Sequence, residues 1–544
     1  MQELKIRSKE EADHHTCKTL LNCYLRECGG ARALAVDHVD NRYRVDFPAS
    51  HSEVFGQLAY YSAIGEHEYV NYFIGGEDVG YKDILSLIIR ELCVIKPAAS
   101  PDQKMRFMEK VSNSFHKLSL FIEEAEPLPV KDYISSEQSL IYGHPFHPFP
   151  KNREGLQDKE IYRYSPECRS FFQLGYVAVR HDFFLEDWIS GGEVSWGEEI
   201  DREAKKQLGS RYQEYRILPM HPWQYQHVKT LKPIRQYQEK QALVFLGILG
   251  PQAFPTSSVR TVYLPEKKCN LKLPLNLQIT NIKRNNTSIQ MQRTLEASRY
   301  LIDSQCFSNE SNTEVSYETG TMSCAFDEHL SELFTLAYRP VGFDPSSTFV
   351  VSSLVEKDPI SRLPRLQHLV PVQRLKEWLY RYLDISLLPL MREANAKGIH
   401  FESHLQNSLV TLNEGMPEKF IMRDLEGVSV EREKAPVGTE RADTLFYTKE
   451  EAKQRTCYYF LINHLGTLIH TVARVMEVQE ENVWKIVDEV LGREGRRTGN
   501  TFIEEIRSVK TFLAKKNMVS CFFENGDTPQ YVPVANLMNQ KRGQ

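Results

Sequence analysis

The sequence predicts an α+β protein with a helical N-terminal part, a β-rich middle and a helical C-terminal part with a few strands. Three observations predict it. Apolar residues recur at three- and four-residue steps towards both ends of the chain. Prolines and short β-rich runs crowd between about 140 and 285. The composition, 41% hydrophobic and 26% charged, is that of an ordinary globular protein. At 544 residues the chain can bury large cores without disulfide staples.

Residues 10–35 and 83–125 read as helical, the second opening on Ile84, Leu85, Leu87, Ile88, Ile89 and Leu92. The middle carries the runs ILPMHPWQ, ALVFLGIL, SSVRTVYL and LKLPLNLQIT. From about 370 the helical pattern returns in QRLKEWLYRYLDISLLPLMREANAKG, which stops at Gly398. Further helices are expected at 450–475 and 500–516. The divisions fall near 135 and 340, giving parts 1–135, 136–340 and 341–544.

Charge and cysteine usage exclude several classes. With 67 Lys+Arg against 72 Asp+Glu the net charge is −5, which is not built for general nucleic-acid or membrane-surface binding. The 10 cysteines form no CxxC pair, so zinc-ribbon and thioredoxin chemistry lack support. The start, MQELKIRSKEEADHH, has no apolar signal-peptide core, and no run approaches the ~20 apolar residues of a membrane span. A cytoplasmic protein with free thiols, no nucleic-acid partner and no membrane is expected.

Residues 255–293 hold Lys or Arg at 260, 267, 268, 272, 283, 284 and 293 against one acid, Glu266. Within them LKLPLNLQIT alternates, with Leu271, Leu273, Leu275, Leu277 and Ile279 on one face and Lys272, Asn276, Gln278 and Thr280 on the other. With SSVRTVYL before it and the turn-like PEKKCN between, a hairpin is expected. It would bring Ser258, Arg260 or Thr261 near Lys272. Hydroxyls, a forked Arg and a point-charge Lys suit a polyphosphate, while a solvated basic sheet face is the plainer reading. No glycine-rich phosphate loop is present: in GGEDVGYK, Tyr81 stands where a Walker loop needs Lys.

Three motifs set histidine beside proline or asparagine: EQSLIYGHPFHPFPKNREG with His144 and His147, LPMHPWQYQH with His221, and HFESHLQNSLV with His400, His404 and Asn407. The last is followed by FIMRDLEGVSV, with Asp424 and Glu426. Singly, a His-Pro reads first as a loop histidine, and His404 with Asn407 as satisfied polar side chains of a capped helix. The prolines hold His144 and His147 extended, which argues against one metal chelated by both. If 402–412 is helical, His404 and Asn407 share a face.

Taken in order, the motifs resemble the IucA/IucC family of siderophore synthetases, which work without a nonribosomal peptide template. They are Gly143–Gly155, His221–Gln224, Pro255–Thr261, the KLPL strand, His404–Asn407 and Arg423–Gly427. The resemblance spans about 137–540. It implies a cupped hand: thumb 1–135, fingers 136–340 and palm 341–544, with nucleotide between fingers and palm. It also implies ATP and Mg2+, an acyl-adenylate of a polycarboxylate such as citrate or a citryl derivative, an amine or hydroxyl acceptor, and a homodimer. By resemblance, Ser258, Arg260, Thr261 and Lys272 hold ATP phosphates. Arg284 and His404 stand near the α-phosphate as the catalytic pair. Asn407 and Asp424 contact nucleotide, Asp424 and Glu426 hold magnesium, and Lys515, His144 and His147 lie on the substrate side. Two departures touch the carboxylate pocket: Cys521 stands where an Arg is expected, and Asn536–Met538 replaces Asn-Pro-Leu. Two rival readings are a small-molecule phosphotransferase, although Gln406 stands where a kinase base would be Asp, and a non-catalytic anion- or nucleotide-binding protein.

Overall fold

The computed structural model describes residues 2–30, 33–126, 129–192, 194–280, 282–435, 444–524 and 530–539. The N-terminal part is not helical throughout. Helix Gln2–Glu27 is followed by a six-stranded sheet built on Leu34–Asp37, Arg42–Phe47 and Ser52–Tyr60. The run RYRVDF alternates exposed and buried side chains, a period-two signal that a helical reading overlooks. The expected helix over 83–125 is two, Tyr81–Ile95 and Pro101–Glu123. Ser100 ends the break between them: its side chain accepts from Gln103 N at 3.2 Å, and Pro101 begins the next helix, where no amide donor is needed.

The middle is an eight-stranded sheet, antiparallel at every pairing. Its order is Tyr215–Met220, Phe172–Arg180, Leu243–Pro255, Thr261–Leu264, Cys269–Lys272, Leu336–Pro340, Gly320–Cys324 and Phe184–Trp188. The expected hairpin is Thr261–Leu264 with Cys269–Lys272, and Thr261 faces Lys272. LKLPLNLQIT, however, is not one strand with a wet polar face. Pro274 cannot donate to a ladder, and the chain leaves the large sheet there. Leu275–Ile279 joins a separate small sheet with Ile282–Arg284 and Arg153–Glu154. Lys272 ends up only 4% exposed.

The C-terminal part packs helices Leu375–Ile385 and Leu387–Lys397 on a four-stranded sheet, around buried Trp378, Tyr382, Leu383, Phe420 and Phe460. Gly398 closes the second helix in the left-handed region, at φ 66°. The helix expected at 402–412 is absent. Leu405–Asn407 is one 3-10 turn, and Ser408–Asn413 is a strand whose first five side chains are all buried. Over 450–475, helices Lys449–Arg455 and Gly466–Val475 flank a π-helix, Thr456–Leu465. Helix Thr501–Ser508 gives way to strand Thr511–Lys515, paired with Tyr531–Ala535. The first helix meets the end of the chain: Glu27 accepts from Met518 N and Val519 N at 3.0 and 2.9 Å. All 10 cysteines are free, and among the described residues no helix is long and apolar enough to cross a membrane.

Candidate active site

A tight turn at 256–261 starts the site. Thr256 N donates to Thr261 O at 2.8 Å, Thr261 N donates to Ser258 Oγ at 3.1 Å, and Val259 takes φ 69°. The turn sends Arg260 inward. Its Nη1 donates to the Arg284 and Asn285 carbonyls at 3.2 and 3.3 Å and to Asn286 Oδ1. Asn286 in turn donates to Lys272 O and Thr335 O, at 3.0 and 2.8 Å. Arg260 is therefore held by neutral acceptors, and its charge is left for another partner.

Lys272 Nζ donates to Asp424 Oδ1 at 2.7 Å and Glu426 Oε2 at 3.1 Å. Those carboxylates come from a turn held on several sides. Asp424 sits at φ 65°, uncommon for a residue with a side chain. Leu425 N donates to Glu318 Oε2 at 3.3 Å, and Glu318 is bridged by Arg339 at 2.8 Å. Arg293 Nε donates to Glu426 O at 2.7 Å. Arg423 reaches the other way, to Glu137, to Tyr133 Oη at 3.0 Å and to the Gln406 carbonyl at 2.7 Å. Glu137 also accepts from Ser257 N and Oγ, at 3.0 and 2.6 Å. One buried ion pair thus fixes the 256–261 turn, the histidine turn and the RDLEG turn to each other.

The charges are uneven. Burial alone would raise the Asp424 carboxyl, but Lys272, Arg339 and Arg260 hold it well below the usual carboxylate range. Burial alone would lower Lys272, and Asp424 and Glu426 raise it instead. Arg284 has no carboxylate so close. Burial and then the like charge of Arg260 push it down to about 10. Its Nη2 donates to Thr280 Oγ1 at 3.1 Å, and its Nε is buried with no partner. Three cations therefore share two carboxylates, which suits an anion between them.

His404 caps the 3-10 turn. Its Nδ1 accepts from Asn407 N at 3.3 Å, and Asn407 Nδ2 donates to Glu402 O at 3.2 Å. His404 and Asn407 are brought together by this cap and not by a shared helical face. Burial lowers the imidazole, so it is neutral near pH 7, and the bond at Nδ1 puts its proton on Nε2.

His144 keeps an exposed surface yet has many protein atoms around it. That burial, then His147, His404, Arg26 and Lys515, pushes it down to about 3. Its Nδ1 accepts from Phe146 N at 3.0 Å. His147 is pushed down to about 4 by burial and then by Arg284, and its Nε2 lies 3.8 Å from Cys521 Sγ. The charges of His404 and Lys515 thus reach His144, and that of Arg284 reaches His147. Lys515 Nζ donates to Tyr459 Oη at 2.6 Å and lies 4.8 Å from that ring's centre. Burial lowers Lys515, against the opposing charge of Glu402. His221 stands apart: it is 1% exposed, its Nδ1 accepts from Trp223 N at 3.1 Å, and it packs on Tyr164 and Phe172.

Sequence reasoning gave no role to Glu137, Glu318, Arg339, Glu402 or Tyr459. Glu137 was visible as the first residue of the EQSLIYGHP run, but nothing local marks its partners 120 and 286 positions away. Among the described residues no group of three or more His, Cys, Asp or Glu is placed to hold a metal ion. Asp424 and Glu426 do converge on one cation, the Lys272 ammonium. That donor set fits magnesium arriving with phosphate oxygens, since magnesium takes one or two carboxylates plus phosphate.

Comparison with known proteins agrees with this architecture. Residues 132–337 match the model of the IucA/IucC family, and residues 376–525 match that of the ferric iron reductase FhuF-like transporter family. The L-2,3-diaminopropanoate–citrate ligase of Staphylococcus aureus is 28% identical, over 97% of this chain and 96% of its own. The spermidine–citrate ligase of Bacillus anthracis is 26% identical, over 95% of each. The structure of ATP-bound aerobactin synthetase IucA from Klebsiella pneumoniae superposes with a TM-score of 0.85 at 20% identity, covering 96% of this chain and 99% of that one. With its motifs in order, its fold shared and its relatives aligned nearly end to end, the chain matches the IucA/IucC family over residues 132–337 and is similar along almost its whole length to citrate ligases.

Proposed function

We propose that this chain is an ATP-dependent carboxylate–amine ligase of siderophore synthesis. It adenylates a carboxylate of citrate or a citryl derivative and joins it to an amine or hydroxyl, releasing AMP and pyrophosphate. The observation that carries the reading is the buried set Arg260, Lys272 and Arg284 around Asp424 and Glu426, beside a neutral His404. The citrate ligases among the relatives and the ATP-bound neighbour support it.

In this reading Ser258, Thr261, Arg260 and Lys272 bind the outer phosphates. A substrate carboxylate oxygen attacks the α-phosphorus while the bond to pyrophosphate breaks. Arg284 and the Nε2–H of His404 meet the charge that grows on the α-phosphate, where preplaced donors act most strongly. Asn407 orients the nucleotide. Asp424 and Glu426 would hold magnesium, which neutralises phosphate charge when bound. The amine or hydroxyl then attacks the acyl carbon, and AMP leaves. Lys515, His144 and His147 lie on the carboxylate side. With buried Cys521 in place of an Arg, a cation of the family pattern is missing there. We assign the protein to the cytoplasm as a homodimer, on the family resemblance.

The test is pyrophosphate release from ATP, Mg2+ and citrate with a panel of amines including spermidine and 2,3-diaminopropanoate. Release that needs both a polycarboxylate and ATP is expected. No release with any polycarboxylate, from folded protein, overturns the reading, and ADP in place of AMP would indicate a phosphotransferase.

A further inference from the structure

The loop over residues 144–147 carries both histidines of the proposed carboxylate side, and it is clamped from two distant segments. Before the loop, Ile141 N and Gly143 N donate to the two oxygens of one carboxylate, to Glu356 Oε1 at 2.5 Å and Oε2 at 3.2 Å. Glu356 directly follows helix Val351–Val355 and lies 215 and 213 positions from these amides. Arg365 stands behind it: its Nη1 is 3.9 Å from Glu356 Oε1, and its Nη2 donates to Ser139 O at 2.9 Å. Within the loop, Asn517 Nδ2 donates to Phe146 O at 2.8 Å. Asn517 opens helix Asn517–Phe523, two residues after Lys515, so this bond ties the loop to the segment that carries Lys515 and Cys521.

The clamps bear on the rings through short local bonds. His144 Nδ1 accepts from Phe146 N at 3.0 Å, and His147 Nδ1 accepts from Phe149 N at 3.3 Å. Each neutral imidazole therefore carries its proton on Nε2, the nitrogen away from its own backbone. The loop has little slack: at Gly143, with φ 85°, a Cβ would lie 3.0 Å from Pro150 Cβ and 3.1 Å from Lys151 Cε. A carboxylate that accepts from two amides is a stronger anchor than a neutral acceptor. The start of the same segment is held separately, by the pair of Glu137 with Arg423 and by Ser136 Oγ, which accepts from Val350 N at 2.9 Å.

We propose that Glu356 and Asn517 are positioning residues for the carboxylate substrate. Together they fix the 144–147 loop, so that the Nε2–H groups of His144 and His147 are held ready to donate to a substrate carboxylate. Neither residue touches the reacting atoms. The inference rests on the carboxylate side assigned above. Because the nucleotide side is anchored through Glu137, the loss of either clamp acts on the carboxylate and spares ATP. Loosening a preorganised loop costs affinity for the ligand that the loop meets.

The test is steady-state pyrophosphate release, with citrate or the citryl derivative that wild type accepts. Glu356→Ala and Asn517→Ala should each raise the KM for that carboxylate at least about tenfold and leave the ATP KM within about twofold. Asn517→Asp, of the same size but with no donor, should do the same. Glu494→Gln is the control for lost stability: it breaks a buried pair with Arg392, 2.8 Å apart, and should lower the melting temperature with both KM values unchanged. If Glu356→Ala does not fold, the two Asn517 variants decide. A carboxylate KM unmoved in the folded variants, an equal rise in the ATP KM, or the same rise in Glu494→Gln overturns the proposal. Turnover by wild type with an unmoved carboxylate KM sinks this inference alone, whereas no release from folded wild type sinks the ligase reading and the inference with it.

Discussion

At the residue scale, His404 and Arg284 should separate kinetically from Lys272. In the proposed reaction the first two would face charge that develops only as the carboxylate attacks. Removing one such donor typically costs about 2.7–4 kcal/mol, or roughly 10²–10³ in kcat. His404→Ala and Arg284→Ala should lose kcat with small changes in the ATP KM. Lys272→Ala should mainly raise the ATP KM, because outer phosphates are bound in the ground state too. A His404→Ala enzyme that melts earlier but keeps the wild-type rate per folded molecule would make His404 a structural residue. Gly427 offers a sharper local test. A Cβ there would lie 2.3 Å from Glu402 Oε2 and 2.5 Å from its Cβ, so Gly427→Ala must displace Glu402 or the RDLEG turn. Steady-state assays should show it losing at least about tenfold in kcat/KM. Much of this scale was readable beforehand. The basic segment and the turn signal at PEKKCN suffice to bring Thr261 opposite Lys272. That Lys272 pairs with Asp424 was not readable, because 152 residues separate them and no local pattern encodes such a contact.

At the element scale, the site depends on three turns from distant segments tied by Glu137 and Arg423. Glu137 is 0% exposed, so Glu137→Gln leaves a buried guanidinium without its counter-charge. Breaking a buried pair in this way costs roughly 3–5 kcal/mol. Chemical denaturation should show that loss, and activity should fall as Ser257 and Arg423 lose their common anchor. Stability within about 0.5 kcal/mol of wild type would mean the turns hold themselves. Helices were legible where a stop signal agreed with the pattern, as at Gly398. The 402–412 segment was misread because two polar side chains three apart suit a helix and a capped turn alike. The β-branched run after Ser408 carried the decisive preference for a strand. The sheet at 34–78 was lost between two strong helical patterns, since its first two strands are short and half exposed.

At the scale of the whole molecule, buried histidines predict how stability changes with pH. Burial pushes His67 down to about 4, and His221 and His464 to about 3. Unfolded, each would titrate near 6.5. Below that value the unfolded chain takes up protons that the folded chain refuses, so stability falls as pH drops from about 6.5 towards 4. Each fully titrating site adds up to roughly 1.4 kcal/mol per pH unit. His470 works the other way. Glu66, Glu480 and Glu68 outweigh its burial and raise it to about 9, so its contribution is complete below about 6.5 and is lost as pH rises through 9. Thermal melts should therefore peak near pH 6.5, decline steeply on the acid side and more gently towards pH 9; a melting temperature level down to pH 5 would contradict the burial of these rings. The proposed reaction turns on one bond, between a substrate carboxylate oxygen and the α-phosphorus. It is tested most directly with citrate labelled with 18O in its carboxylates, in a reaction with ATP, Mg2+ and an accepted amine, followed by mass spectrometry of the nucleotide and phosphate products. Adenylation predicts one 18O transferred to AMP for each amide formed, with unlabelled pyrophosphate. Label in inorganic phosphate, with ADP as the nucleotide product, would contradict it.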